Sequence, residues 1–480
     1  MSQLELSTAI SQSAVVAASR LYYLAIRACF LFFFVRFLGL ENYGSFNYAQ
    51  SWYILLMPFA LLGTNELIIS QIPLSSEPER ERFLATSLAL RFVSSTVTTL
   101  LIVAFALSVE TDLVLQQLML IFAPAALIRG CIGWFSAVFV AQGLVLRWTS
   151  FSTFFVTVDV VAVLLAAGNG ASLLGLALLQ LFLWLVKLLS CWLYAGRHGL
   201  LIGFDWSCLF RWDKALAVRF VLGGWPLALG NFLLLSLAIG LLIPYRLAAS
   251  DLTSLGVAAL VLQVLMLIQE PLTRTFNALL PALRHQGNTN PSRDNRFETQ
   301  LSMFAILTGC VLVIVAHQLS LYLANTSQLP QFRPALLLLS EYAWVLVPIM
   351  LFHALRPLVI VDGRYWGYLL SIFAGFVSAL SLLTGYAYLG ALNPERLLLA
   401  LGIGFTVLSL LALSNLLFSG KDWFRGSSRL VLLVGVSVSA LICLSQVGQF
   451  PGYLQALGLF FATCGSGFFL LRLKVTHARS

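Results

Sequence analysis

Six basic side chains interrupt long apolar stretches of this sequence: Arg20, Arg27, Arg91, Arg129, Lys187 and Arg274. Guanidinium and ammonium groups bind phosphate oxygens through several N–H donors at once. Arg20 and Arg27 are seven residues apart, so both project from one face of a helix. Only Glu66 and Asp159 offset the first five cations. This excess of positive charge predicts a cavity that receives an anion.

A second group of candidates consists of amide and carboxylate side chains, several of which lie on one helix beside Arg274. Gln263, Glu270, Arg274 and Asn277 fall within a sector of roughly 60° when about 100° is turned per residue. The predicted polar lining, with the carboxylates as candidates for ion coupling, comprises Asn47, Gln50, Asp159, Gln263, Glu270, Asn277 and Glu341.

Other interpretations of these charges remain open. Arg20, Arg91 and Lys187 are also placed where a long side chain reaches the headgroups from a helix end. Glu270 and Arg274 are four residues apart and suit a local ion pair. The seven cysteines occur singly, which favours small buried side chains over metal ligands. No catalytic residue, metal site or cofactor is predicted.

The composition requires a membrane protein. Hydrophobic residues make up 60% of the 480 and charged residues 10%, with a mean hydropathy of +0.93. Soluble domains carry about 25% charged residues. Apolar runs of about 20 residues match the bilayer core and predict helices. About fourteen are predicted, at 13–38, 43–70, 84–108, 113–140, 149–167, 172–195, 216–245, 255–283, 301–323, 335–361, 367–390, 396–418, 430–447 and 453–472.

Loop charges predict the orientation. With a cytoplasmic N-terminus, eighteen Lys and Arg residues fall in inner segments, and the outer segments hold only Arg36, Arg246, Arg333 and Arg396. Because cytoplasmic loops are enriched in Lys and Arg, both termini are predicted to be cytoplasmic. The formal charge of +9 is then explained by the basic inner loops and indicates no nucleic-acid partner.

A short polar interval separates the first two predicted helices. In "LGLENYGSFNYAQSW" (38–52), Gly39 suits the positive φ that commonly ends a helix, and Glu41 and Asn42 suit the start of the next. So short a connection predicts an antiparallel pair. This stretch, with "LLGTNELIISQIP" (61–73) and "GVAALVLQVLMLIQEPLTRTFNALLPAL" (256–283), resembles the polysaccharide and O-antigen (Wzx-like) exporters of the multidrug/oligosaccharidyl-lipid/polysaccharide (MOP) superfamily.

The resemblance implies an all-α polytopic membrane protein with two pseudo-symmetric six-helix lobes, as in MATE and other MOP transporters. The lobes would span 1–200 and 201–418, with two additional helices in 419–480. The implied function is to move a polyprenyl-pyrophosphate-linked oligosaccharide from the cytoplasmic to the outer leaflet of the inner membrane, by alternating access, for surface polysaccharide biosynthesis. Implied partners are this glycan, membrane lipids, a polysaccharide polymerase and other biosynthesis proteins.

In these terms Arg20, Arg27 and Arg129 would capture the pyrophosphate. The sequence contains no GxxxxGK[ST] motif, so an H⁺ or Na⁺ gradient or the membrane potential is the expected energy source. Three alternatives remain. A lipid II flippase shares the cationic cavity and the helix number, and a cation-coupled multidrug antiporter shares the fold. A membrane-embedded glycosyltransferase or polymerase would be an enzyme, which the short outer loops do not favour.

Overall fold

Long α-helices form nearly all of the described structure, as the apolar runs predict. The computed structural model describes residues 3–72, 76–197, 213–249, 251–278, 295–326, 330–361 and 365–417. These residues contain no β-strand. The α-helices are α1 Gln3–Leu61, α2 Thr64–Gln71, α3 Glu77–Ser108, α4 Leu113–Phe122, α5 Ala125–Ala141, α6 Val145–Gly168, α7 Leu173–Arg197, α8 Lys214–Leu235, α9 Leu242–Ala248, α10 Leu252–Ala278, α11 Asn295–Asn325, α12 Arg333–Tyr342, α13 Leu346–Val361, α14 Tyr365–Tyr388 and α15 Pro394–Leu417.

Eleven helical runs among the described residues are long and apolar enough to cross a membrane. The first, Leu21–Leu61, includes most of two predicted spans, 13–38 and 43–70, which meet at a kink. The predicted spans 430–447 and 453–472 lie outside the described residues. The multi-pass helical architecture is therefore confirmed, whereas the number fourteen stays a prediction.

The kink at Gly39 folds α1 back on itself. Gly39 has φ 78° and ψ 167°, within an otherwise helical stretch. The rings of Phe34 and Phe46 pack 5.0 Å apart. Twelve residues of continuous helix would separate their backbones by about 18 Å. The chain therefore turns back here, and the predicted pairing of the first two helices is confirmed.

The polar turn is stabilised differently from the prediction. Asn42 donates its side-chain N–H to the carbonyl of Leu38 at 3.0 Å. The amide thus satisfies a backbone carbonyl at the end of the first half of α1. The sequence had predicted that Asn42 would instead cap the start of the second half. An asparagine amide carries both donors and an acceptor, so it can satisfy a carbonyl at the end of one helix as readily as an N–H group at the start of the next.

Several predicted spans are interrupted inside the apolar region. The span 43–70 breaks at Leu62 and Gly63, which have φ of 48° and 62°. The span 113–140 breaks at Ala123 and Pro124, where proline removes a backbone donor. The spans 216–245 and 335–361 contain a π-helical segment, Ser236–Gly240, and a 3₁₀ segment, Ala343–Val345. Hydropathy averaged over a whole span does not reveal such breaks.

The chain forms two compact units, residues 1–259 and 260–480. In the first, α1 packs against α3, α4, α5, α6 and α8, and α5 packs against α3 and α7. In the second, α11 packs against α12 and α13, and α14 packs against α15. The predicted lobe limits at 200 and 418 do not coincide with the boundary between these two units, and they stay a prediction.

Candidate functional site

Arg129 is the central cation of a polar cluster in the first unit. It lies little more than one turn after the break at Pro124, on α5. Its guanidinium donates to the hydroxyl of Tyr53 at 2.8 Å. The same group lies 5.5 Å from the ring centre of Tyr53 and 5.0 Å from that of Trp184. Two aromatic faces and one hydroxyl therefore fix the position of this charge.

A pair of glutamines extends the cluster. Gln50 on α1 donates to the side-chain oxygen of Gln180 on α7 at 2.7 Å. Gln180 is buried, and Gln50 lies one helical turn before Tyr53. The amides thus continue the polar surface of Arg129 along the same two helices.

Asp159 brings a carboxylate from α6 to the same place. The side chains of Gln180 and Trp184 are its polar neighbours, and the charges of Arg129 and Arg27 act on it. Its Oδ1 atom is inaccessible and has no hydrogen-bond partner among the described residues. We call Gln50, Tyr53, Arg129, Asp159, Gln180 and Trp184 the Arg129 cluster.

Helical spacing explains why α7 contributes to the cluster repeatedly. Gln180, Trp184 and Lys187 are separated by four and three residues, so they share one face. Lys187 donates to the hydroxyl of Ser152 at 3.2 Å and lies 6.0 Å from the ring of Trp148. Its charge is within electrostatic range of Arg129 and Asp159. Lys187 therefore adds a second cation beside the cluster.

Arg27 lies on the first half of α1 with an exposed side chain. Its Nε donates to the hydroxyl of Tyr23 at 3.0 Å, and its guanidinium lies 5.3 Å from the Tyr23 ring centre. Its charge also acts on Tyr53 and Asp159. Arg27 therefore lies within electrostatic range of two residues of the Arg129 cluster, and its assignment to an anion site stays a prediction.

Arg91 lies apart from the cluster and is wholly buried. It donates to the backbone carbonyl of Gly130 at 3.2 Å and to Asn65 at 2.8 Å, and it also contacts the hydroxyl of Thr64. These contacts connect α3 to α5 and to the first turn of α2. The expectation that Arg91 lines a wet cavity is corrected here, because its side chain is enclosed and its donors serve internal oxygens.

The remaining predicted residues have separate positions. Asn47 is buried and donates to the carbonyl of Tyr43 at 3.0 Å, one turn before Gln50. In α10, Gln263 is half-buried, and Glu341 on α12 is exposed. The side chains of Arg20, Glu270, Arg274 and Asn277 lie outside the described residues. Their assignment to a site stays a prediction.

Sequence reasoning missed Tyr53, Gln180 and Trp184. Each resembles ordinary packing in an apolar helix, and no single one indicates a site. The available signal was their helical spacing from residues already selected, since Tyr53 follows Gln50 by three and Trp184 precedes Lys187 by three.

Comparison with solved structures shows the fold. The lipid II flippase MurJ in an inward closed conformation matches with a TM-score of 0.66 and 12% identity, over 97% of this chain and 100% of that one. An inward-facing MATE multidrug transporter of the MOP superfamily matches with a TM-score of 0.61 and 13% identity, over 84% of this chain and 100% of that one. A MOP superfamily transporter from Pyrococcus furiosus matches with a TM-score of 0.56 and 12% identity, over 91% of this chain and 96% of that one.

Sequence comparison shows the family. No individual curated protein matches this chain significantly. The sequence model described as "Polysaccharide biosynthesis protein" matches residues 11–285, which is more than half of the chain and includes the whole Arg129 cluster. The resemblance to polysaccharide exporters is therefore confirmed, and this chain belongs to the polysaccharide biosynthesis protein family with the fold of a MOP superfamily transporter.

Proposed function

We propose that this protein moves a polyprenyl-pyrophosphate-linked oligosaccharide from the cytoplasmic to the outer leaflet of the inner membrane. The observation that carries the proposal is the position of Arg129, held by Tyr53 and Trp184 beside two amides. No described carboxylate lies within ion-pairing distance of Arg129. Arginine has five N–H donors, so most of them are left for the oxygens of a pyrophosphate.

The other parts of the substrate suit the same surroundings. Hydroxyl groups of a sugar require donors and acceptors, which Gln50 and Gln180 provide. Arg27 and Lys187 add positive charge within electrostatic range of the cluster. A polyprenyl tail is as apolar as the lipid around the helices and needs no enclosed site. The headgroup of the substrate would thus bind at the Arg129 cluster, and its polyprenyl tail would remain in the membrane.

Transport by alternating access is proposed in preference to chemistry on the glycan. Asp159 is the proposed coupling group, because it is a carboxylate with one unpartnered oxygen among cations that also bind the substrate. The coupling ion would be H⁺ or Na⁺, or the membrane potential would act on the charged substrate directly. A drug/cation antiporter would favour acidic residues in the site, and the cations here support an anionic substrate instead.

Lipid II is a second candidate substrate, because the fold matches the lipid II flippase MurJ over 97% of this chain. The two substrates share the polyprenyl pyrophosphate and differ in the sugar. Deleting the gene separates the candidates. We expect an undecaprenyl-linked surface glycan to accumulate on the cytoplasmic leaflet while peptidoglycan synthesis continues. Accumulation of lipid II would support the second candidate.

Reconstitution distinguishes transport from chemistry. Purified protein in vesicles should move a fluorescent polyprenyl-pyrophosphate glycan between leaflets and leave its mass unchanged. A change in the mass of the glycan would instead show that the protein is a glycosyltransferase or polymerase, and the proposal would fail.

A further inference from the structure

A buried ion pair joins two distant parts of the first unit. The guanidinium of Arg246, on α9, lies 3.5 Å from the carboxylate of Glu110, in the segment between α3 and α4. The two side chains are 14% and 3% exposed. Isolated surface pairs contribute little, whereas loss of one partner from a buried pair leaves an uncompensated charge and is strongly destabilising.

Both partners are held in place by backbone groups. Glu110 accepts from the backbone N–H groups of Thr111 and Asp112, each at 3.1 Å. Arg246 donates to the carbonyl of Ala249 at 3.4 Å. Tyr48, on the second half of α1, is close enough for both charges to act on it. The pair therefore joins α9 to the segment between α3 and α4 in a defined geometry.

A second close contact joins α1 to α10. A Cβ atom at Gly44 would lie 2.6 Å from the backbone nitrogen and 2.8 Å from the Cα of Gly256. A Cβ at Gly256 would overlap the carbonyl oxygen of Leu40. The start of the second half of α1 and the start of α10 thus touch backbone to backbone, which glycine alone permits.

We infer that the ion pair and the glycine approach together form an outer contact that must separate before cargo leaves the protein. All four residues, Gly44, Glu110, Arg246 and Gly256, lie at the predicted outer ends of their helices. The outer contact joins α1 and the α3–α4 segment to α9 and the start of α10. The predicted limit at 200 assigns these to different lobes, and all four residues lie within the compact unit 1–259. This inference rests on the proposed transport function, since only a transporter needs these ends to part.

The physical basis is a two-state junction. With the helices together, the charges neutralise each other and the glycine backbones touch. With the helices apart, water solvates both charges and the glycine contact is lost. Neutralising one partner therefore favours separation, because the remaining buried charge gains free energy when water reaches it. A side chain at Gly44 favours separation through overlap alone.

Site-directed labelling tests the outer contact without an export assay. The full chain, with its native cysteines replaced, carries Ser45→Cys, at a buried position beside Gly44, as a reporter on α1 and is expressed in intact cells. A membrane-impermeant maleimide applied from outside measures how often the reporter is exposed. We expect Glu110→Gln, Arg246→Gln and Gly44→Ala each to raise the labelling rate about tenfold, with Arg333→Gln, another predicted outer arginine, as the matched control.

The charge reversal Glu110→Arg with Arg246→Glu keeps the inference falsifiable. It should return the labelling rate to within about twofold of the parent, because the pair is restored in the opposite order. Size-exclusion chromatography confirms that each variant is folded. Unchanged labelling in folded Glu110→Gln and Gly44→Ala variants, on intact cells and on inverted vesicles alike, would overturn the inference.

The two proposals fail separately. Raised labelling in a protein that moves no polyprenyl-pyrophosphate glycan would support the outer contact and refute the proposed substrate. Normal glycan transport with labelling unaffected by any of the variants would support the proposed function and refute the outer contact.

Discussion

The hydroxyl of Tyr53 accepts a hydrogen bond of 2.8 Å from the guanidinium of Arg129, while the ring of Trp184 covers the same guanidinium at 5.0 Å. The hydroxyl contact and the ring contact are separable by substitution. We expect Tyr53→Phe to weaken binding of a polyprenyl-pyrophosphate probe about tenfold, because hydrogen bonds to charged groups contribute about 1.5–3 kcal/mol. Isothermal titration in detergent measures this loss.

A matched aromatic control accompanies that measurement. Tyr22→Phe removes a hydroxyl that contacts Thr157 on the first unit but not Arg129, and it should leave affinity within about twofold. Equal losses from both substitutions would mean that the Tyr53 hydroxyl has no particular role in holding the cation.

Arg27 and Arg129 are the two arginines proposed to share the pyrophosphate. Arg129→Ala should lower transport about 10–100-fold, and the double variant Arg27→Ala with Arg129→Ala should abolish it. Leaflet exchange of a fluorescent polyprenyl-pyrophosphate glycan provides the measurement. Arg147→Ala, an exposed arginine in the first turn of α6, is the control. Wild-type exchange by the double variant would exclude the assigned anion site.

Asp159 offers a direct test of energy coupling. Asp159→Asn preserves the size of the side chain and its place beside Gln180 but removes the titratable charge. Transport should then become independent of an imposed H⁺ or Na⁺ gradient while binding of the probe persists. Glu81→Gln, an exposed acid near the start of α3, should retain gradient dependence. Full gradient dependence in Asp159→Asn would move the coupling role to Glu270 or Glu341.

Adjacent glycines on α8 provide a stability prediction with an internal control. A Cβ at Gly224 would overlap the carbonyl oxygen of Leu62, at the break in the second span. Gly224→Ala should therefore destabilise the protein by about 1–3 kcal/mol, as overpacked substitutions do. At Gly223 the nearest atom would be Leu67 Cδ1 at 3.8 Å, an ordinary contact.

Thermal unfolding in detergent distinguishes the two positions. Gly223→Ala should hold or raise the Tm, because alanine is favoured over glycine within a helix by about 0.5–1 kcal/mol. If both variants unfold at the same temperature, the close approach of α8 to the break at Leu62 and Gly63 does not contribute to stability.

Hydropathy and turn chemistry predicted much of this architecture. The first twelve predicted spans correspond to helical runs, and the turn at Gly39 has the expected positive φ. The breaks at Gly63 and Pro124 were not predicted, because a single span was drawn across each on its average hydropathy, although the polar residues Thr64, Asn65 and Glu66 follow Gly63. Interruptions of that kind depend on neighbouring helices that satisfy the freed backbone groups, and a single run of sequence does not contain that information.

The site was predictable only in part. Arg129, Asp159 and Gln50 were selected as polar residues at depth, and the structure brings them together around Gln180. Arg91 shows where the reasoning fails. Its depth was apparent from sequence, but the direction of its side chain depends on how α3 packs against α5. Only the fold reveals that it contacts Gly130 and Asn65.

The Phe34–Phe46 contact across Gly39 bears on how the chain enters the membrane. Two helices that already pack on each other need no later partner to satisfy that surface. We therefore expect the first two crossings to leave the insertion machinery as a preassembled pair, against which each later crossing assembles in turn. Biogenesis of this protein would then begin with a few aromatic rings meeting around one glycine.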